Sequence, residues 1–276
     1  MKNQNQLFKL QQKMKKPVRK NKKIKKELTI DQKISRRNFI SFTTFGVLGA
    51  TAFGGWRWLY KAPDETAGIT AGARAPLRRA LNKTELAFRK VFSNNNLVKT
   101  YPKSMAATNV RHNTSIGADS KMDLAAWRLN VTKSTGEKLQ FTIDQIKSLP
   151  KTELVFSFKC VEGWDQIQYW AGVKFIDFIN HFGLQDQTKL GYVGMETPDK
   201  AYYVGLDMPS AMHPQTILAY ELNEKPLPGR HGPPLRLIIP VKYGIKNLKR
   251  IGTISFSNER PKDYWAEQGY DYYSGL

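Results

Sequence analysis

The chain has one cysteine, Cys160, in the run Phe158-Lys159-Cys160-Val161-Glu162-Gly163-Trp164. A lone thiol cannot close an intramolecular disulfide or build a cysteine-rich zinc site, so three roles stay open: core filler, nucleophile or metal ligand. Leu154, Phe156 and Phe158 alternate with Glu153, Val155, Ser157 and Lys159, which is the period of a strand with one strongly apolar face. Cys160 therefore sits where a strand gives way to a loop holding Gly163 and Trp164, and binding groups gather at such positions. A second stretch with chemical potential is Asn109-Val110-Arg111-His112-Asn113. It lies in a region, 93–121, without sustained period, and offers a cation, an imidazole and an amide to a polar ligand.

The elements that must hold these residues in place are short and mostly strands. Trp127, Leu129 and Val131 alternate, Gly136 turns the chain, and Leu139, Phe141 and Ile143 alternate again. Thr142 with Gln145 three positions later predicts a capped short helix ending before Pro150. Val173 to Phe182 reads as a helix, with Val173, Ile176, Ile179 and Phe182 on one face. Strand-like runs recur at Gly191–Glu196, Tyr202–Leu206, Ile217–Leu222, Leu235–Ile239 and Ile251–Phe256. Asn223-Glu224-Lys225-Pro226 and Gly229-Arg230-His231-Gly232 supply turns. Upstream, Pro76 can open a helix whose Leu77, Ala80, Leu81, Thr84, Phe88, Val91 and Phe92 follow helical spacing, read as a packing face. With strands outnumbering helices and no repeating strand-helix unit, the expected class is α+β with mixed β-sheets.

The net charge of +21 invites a nucleic-acid reading, but its distribution argues against one. Residues 1–37 carry fourteen Lys or Arg against two acids, roughly half of the excess. The expected organisation is a disordered basic tail over 1–34, an apolar segment over 35–60, a linker over 61–75 containing Pro63, Gly68 and Gly72, and a globular body over 76–276. Ser35-Arg36-Arg37-Asn38-Phe39-Ile40, followed by an uncharged stretch to Trp56, resembles a twin-arginine export signal. That route carries folded proteins, often with a cofactor installed. Ala50-Thr51-Ala52 fits a cleavage site, whereas Trp56, Arg57, Trp58, Tyr60 and Lys61 look like an interfacial belt. The latter favours a retained anchor over 38–60 and a periplasmic body.

Several stretches together resemble the molybdopterin-dependent sulfite oxidase superfamily, and within it the catalytic subunits of periplasmic methionine-sulfoxide reductases. They are Cys160-Val161-Glu162-Gly163-Trp164, Trp170-Ala171-Gly172, Ala211-Met212-His213-Pro214, His231-Gly232-Pro233-Pro234-Leu235-Arg236-Leu237 and Pro240 through Lys249. The resemblance covers roughly Pro76 to Tyr270. It implies a molybdopterin-binding fold in which Cys160 supplies a thiolate to molybdenum beside the dithiolene of a single pterin. It also implies that Arg111, His112, Thr197, His231, Arg236, Asn247 and Lys249 face the pterin and its phosphate. An unpaired guanidinium in an apolar strand is costly, so an anionic partner is expected at Arg236. His181 and His213 are left outside the site, one at a helix end and the other shaping a loop. One departure stands out: Val110-Arg111-His112-Asn113 replaces the Asn-Asn-Phe-Tyr-type segment of the reductases and is nearer the Arg-Asn-His of sulfite oxidases.

The implied function is oxygen-atom transfer, with reduction of methionine sulfoxide or another S- or N-oxide favoured. Arg111 and Tyr203 are the expected substrate contacts. Sulfite oxidation is the alternative enzyme reading, and a membrane-tethered binding protein without chemistry is the third. The sequence has no Cys-x-x-Cys-His haem site and no cysteine set for an iron-sulfur cluster. An external electron donor is therefore expected; the resemblance implies that it is a haem-containing membrane protein, and the export signal implies the twin-arginine machinery as a second partner.

Overall fold

The computed structural model describes residues 28–63, 74–91, 96–113, 116–118 and 122–275. The expected basic tail up to residue 27, and Gly68 and Gly72 of the expected linker, lie outside the described residues. The chain divides into two units, Met1–Trp58 and Leu59–Leu276.

Helix α1 (Ile30–Lys61), which lies in the first unit up to Trp58, begins inside the stretch that composition assigned to the tail. The cause is a reciprocal cap: the Gln32 amide donates to the Thr29 hydroxyl at 3.3 Å and the Thr29 amide to the Gln32 side chain at 3.1 Å. Thr44 and Thr51 return their hydroxyls to the carbonyls of Ile40 and Val47, both at 2.8 Å, which satisfies polar groups within the helix itself. α1 is long and apolar enough to cross a membrane, as the Asn38–Trp56 run predicts.

In the second unit, helix α2 (Ala75–Val91) forms as Pro76 foretold, but Leu77 and Leu81 are exposed instead of packed. Two five-stranded sheets follow. The first orders β2 (Lys138–Phe141), β1 (Leu129–Thr132), β10 (Thr253–Ser257), β5 (Tyr192–Glu196) and β6 (Tyr203–Asp207). β1 and β10 are parallel and the other pairs antiparallel. The second orders β3 (Lys151–Lys159), β4 (Asp165–Lys174), β7 (Ile217–Leu222) and β8 (Lys225–Pro226), with β9 (Arg236–Ile238) also on β7, all antiparallel. Short helices α3 (Ile143–Lys147), α4 (Phe175–His181), α5 (Met208–Ala211) and α6 (Tyr264–Glu267) fill the connections. The mixed α+β class is as expected. Thr142 and Gln145 form the predicted capping box on α3.

Two differences have physical causes. β4 carries no alternation because both of its faces are covered: Gln168 through Val173 are all buried, with Val173 in one apolar cluster and Trp170 in another. A strand covered on both sides loses its period-2 signal. The expected helix from Val173 consequently starts at Phe175, after β4 ends. Gly172 explains how β4 and β7 come so close. The register shifts between Ala171 and Gly172, and a Cβ at Gly172 would fall 2.1 Å from the Leu218 carbonyl oxygen.

The main core gathers Leu129, Val173, Phe175, Phe178 and Leu206 among others, and a second cluster of Phe156, Phe158, Trp170 and Ile238 lies behind the Cys160 loop. Two buried ion pairs brace this body. Lys246 pairs with Asp263, the N-cap of α6, and Lys242 pairs with Asp207, the N-cap of α5, at 3.3 Å.

Candidate functional site

Cys160 opens the hairpin loop between β3 and β4, directly after the Lys159–Asp165 pair. Its amide donates to the Trp164 carbonyl at 2.9 Å and its carbonyl accepts from Gly163 at 3.1 Å, with Gly163 at φ +85°. That left-handed residue lets the loop fold tightly enough to set the thiol inward. The side chain is buried and lines a cavity of about 190 Å³.

Arg111, His112, His231, Arg236, Asn247 and Lys249 line the same cavity. Residues separated by more than a hundred positions thus converge where the Arg111–Asn113 segment, the Gly229–His231 turn and the segment after β9 meet the β3–β4 loop. Gly232 at φ +80° makes one of these approaches possible, since a Cβ there would lie 2.5 Å from the Arg250 amide nitrogen.

Arg236 is a buried cation with weak compensation. Its guanidinium donates to the carbonyls of His231 and Asn247 at 3.4 and 3.3 Å, and lies 4.4 Å from the Trp170 ring centroid. Its buried Nε has no hydrogen-bond partner among the described residues. Desolvation pushes the Arg236 pKa down to about 9. His231 packs edge-on against Trp170 and His112, at 5.8 and 5.7 Å between centroids. Burial, reinforced by the charges of Arg236 and Lys249, pushes it down to about 3, so it is neutral at physiological pH. Burial and the charges of Lys249 and Arg230 lower His112 in the same sense. Both imidazoles serve as hydrogen-bonding groups, not as additional cations.

Asn247 is more committed than its expected phosphate contact implies. Its Oδ1 accepts from the Ile239 amide at 2.8 Å and its Nδ2 donates to the Tyr243 carbonyl at 3.1 Å, which leaves one amide hydrogen for a ligand. Lys249 donates to the Asn113 carbonyl at 2.7 Å. Arg111 stacks 4.6 Å over Trp164, with its amide held by Gln166 at 2.9 Å. Burial raises the Cys160 thiol, and the nearby Glu162 carboxylate adds to the rise.

Two expected residues are not brought to the cavity. The Thr197 hydroxyl donates to Asp199 at 2.6 Å and accepts from the Tyr202 amide at 3.2 Å, which closes the turn between β5 and β6. Its methyl abuts Gly117, next to the cavity-lining Ile116. Tyr203 does not line the cavity and donates its hydroxyl to Glu267. The neighbouring Tyr202 lines it instead, as successive residues at a strand start point to opposite faces. Trp164, Gln168, Trp170, Tyr202 and Asn113 are among the lining residues to which the sequence reading assigns no role. Trp164 and Trp170 stood inside the motifs already singled out. His213 shapes a loop as expected, contacting the Asn96 carbonyl at 3.3 Å.

Residues 116–265 match the family described as oxidoreductase molybdopterin binding domain, and the chain belongs to this family, within the sulfite oxidase superfamily. It is therefore a molybdopterin-dependent oxidoreductase. Among named relatives it is similar to the putative protein-methionine-sulfoxide reductase subunit YedZ1 of Azospira oryzae, 37% identical over 67% of this chain and 70% of that one. The protein-methionine-sulfoxide reductase catalytic subunit MsrP of Xanthomonas campestris is 29% identical over 74% of this chain, and the chain spans 65% of its length. For MsrP of Campylobacter jejuni the figures are 31%, 54% and 56%. The sulfane dehydrogenase SoxCD of Paracoccus pantotrophus aligns in structure with a TM-score of 0.47 and 18% identity, over 60% of this chain and 46% of that one.

The cavity suits such a cofactor on its own chemistry. A buried guanidinium with an unused Nε matches an anionic group such as the pterin phosphate, and a soft sulfur donor matches the metal.

Proposed function

We propose that the chain is an exported molybdenum enzyme that removes oxygen from a sulfoxide, methionine sulfoxide or another S- or N-oxide, with Cys160 as the protein's thiolate ligand. One observation carries the reading: a single cavity joins the lone buried thiol to Arg236, Lys249, His231 and His112. When bound, molybdenum supplies two-electron oxygen-atom transfer, chemistry that amino-acid side chains lack. Arg236, with its unused Nε, holds the phosphate, Lys249 adds positive charge at the cavity wall, and Asn247 contributes its remaining amide hydrogen. Neutral His112 and His231 hydrogen-bond the pterin, and Thr197 supports that wall from behind. The Cys160 thiol gives up its proton on metal binding, because a metal-bound thiol is deprotonated outright.

Arg111 is the residue we assign to polarising the substrate oxygen, and its stacking on Trp164 fixes the guanidinium plane at the cavity wall. Tyr203, bonded to Glu267, acts at most through Tyr202. Electrons come from an external donor, a haem-containing membrane protein. The Arg36-Arg37 pair addresses the chain to the twin-arginine machinery, and residues 38–60 hold the body at the periplasmic face of the membrane, where a tether raises the encounter rate with that donor. Residues 76–276 form the cofactor-binding body.

The electropositive cavity and the Arg111-His112 pair give sulfite oxidation some support, since both would attract an oxyanion. Anaerobic single-turnover assays decide between the directions. Pre-reduced enzyme is expected to be reoxidised by methionine sulfoxide or dimethyl sulfoxide, and oxidised enzyme to stay oxidised with sulfite. Rapid reduction by sulfite with no reaction toward any sulfoxide would reverse the assignment.

A further inference from the structure

We infer that Asn113 is a positioning residue for Cys160, whose carboxamide holds the sulfur by an N–H···S hydrogen bond and reduces its electron donation to the metal. The inference rests on the reading of Cys160 as a molybdenum ligand. Asn113 Nδ2 lies 3.3 Å from Cys160 Sγ and 2.8 Å from Glu162 Oε2. A primary amide has two N–H groups, so one serves each acceptor. The carboxamide therefore stands between the sulfur and a carboxylate, converting a juxtaposition of two electron-rich groups into two hydrogen bonds.

Both ends of Asn113 are fixed. Its backbone carbonyl accepts from Lys249 Nζ at 2.7 Å. On the side-chain end, Glu162 Oε2 also accepts from Trp164 Nε1 at 3.1 Å, and Trp164 is covered by Arg111 at 4.6 Å. A residue without helix or strand around it is thus held from the 249 segment on one side and the Cys160 loop on the other. The sulfur it meets is buried, where a hydrogen bond is electrostatically stronger than in water. Hydrogen bonds to ligating sulfurs withdraw electron density and are one of the protein's levers on a metal centre's potential. Withdrawing density from Cys160 favours the more electron-rich, reduced state of the metal.

Asn113→Leu removes the donor at similar volume, and Asn113→Gln keeps an amide. The tests on metal-loaded full-length protein, normalised to molybdenum content, are redox titration and the thiolate-to-metal charge-transfer band. The Leu variant is expected to shift the potential downward and the band to lower energy, and the Gln variant to shift both less. Unchanged potential and band in the Leu variant, or equal shifts in Leu and Gln, would overturn the inference and leave Asn113 as a loop clamp only. Should the Leu variant fail to load metal, Asn113→Ser, with its hydroxyl drawn back from the sulfur, carries the same expectation and the same refutation. An error in the ligand reading itself would show separately, as a molybdenum sulfur count that Cys160→Ser leaves unaltered.

Discussion

Arg236 poses the sharpest question at the scale of single residues, because a guanidinium this deeply buried is destabilising unless something anionic meets it. The two carbonyl contacts and the Trp170 face do not supply that charge. Arg236→Met should therefore leave the cofactor-free protein as stable as the parent, or stabilise it by about 1–4 kcal/mol, the range seen when apolar residues replace buried charges. The same variant should lose cofactor. Thermal unfolding of cofactor-free protein and molybdenum quantification of expressed protein read the two effects; a large fall in stability would mean that Arg236 holds the fold, not a phosphate.

His231 gives a pH prediction. Its folded pKa lies far below the ordinary histidine value, so between about pH 6.5 and about pH 3 the unfolded chain binds more protons than the folded one. Stability contributed by the neutral imidazole is complete above pH 6.5 and is lost as pH falls, at up to about 1.4 kcal/mol per pH unit. His231→Gln should flatten that slope in cofactor-free protein. Parallel denaturation midpoints for parent and variant from pH 7 to pH 4 would contradict it.

At the scale of elements, the site depends on how closely β4 lies against β7, since that contact carries Gln168 and Trp170 to the cavity wall. Gly172→Ala should cost at least the roughly 1–3 kcal/mol of an overpacked core, because the clash is with backbone that cannot rotate away. A body of this size should then lose about 2–4 °C in Tm for each kcal/mol. An unaltered Tm would show that the bulge is not fixed by this contact. Much at this scale could be read from the sequence. The strand into Cys160 and the Thr142–Gln145 box follow from apolar alternation and capping chemistry, and the Ile217–Leu222 strand from its short apolar run. β4 could not be read so, because burial on both faces erases the alternation that marks a strand.

At the scale of the whole molecule, Cys160, His231 and Lys249 could be selected one by one, but no local pattern states that they share a cavity. That depends on strand pairing across long separations, such as β1 beside β10. For the same reason the sequence points to Tyr203 where Tyr202 lines the wall, a matter of a single residue of register, and it offers Asn113 as part of a polar stretch without placing it at the sulfur. Roughly half of the charge that first suggested nucleic acid lies in residues 1–37, ahead of the body.

The central claim is that Cys160 is bonded to molybdenum. X-ray absorption at the molybdenum edge, on the parent and on Cys160→Ser, tests it most directly. The account predicts one sulfur fewer around the metal in the variant, together with loss of turnover and retention of the folded body. An unchanged sulfur count, or normal turnover in the variant, would contradict it.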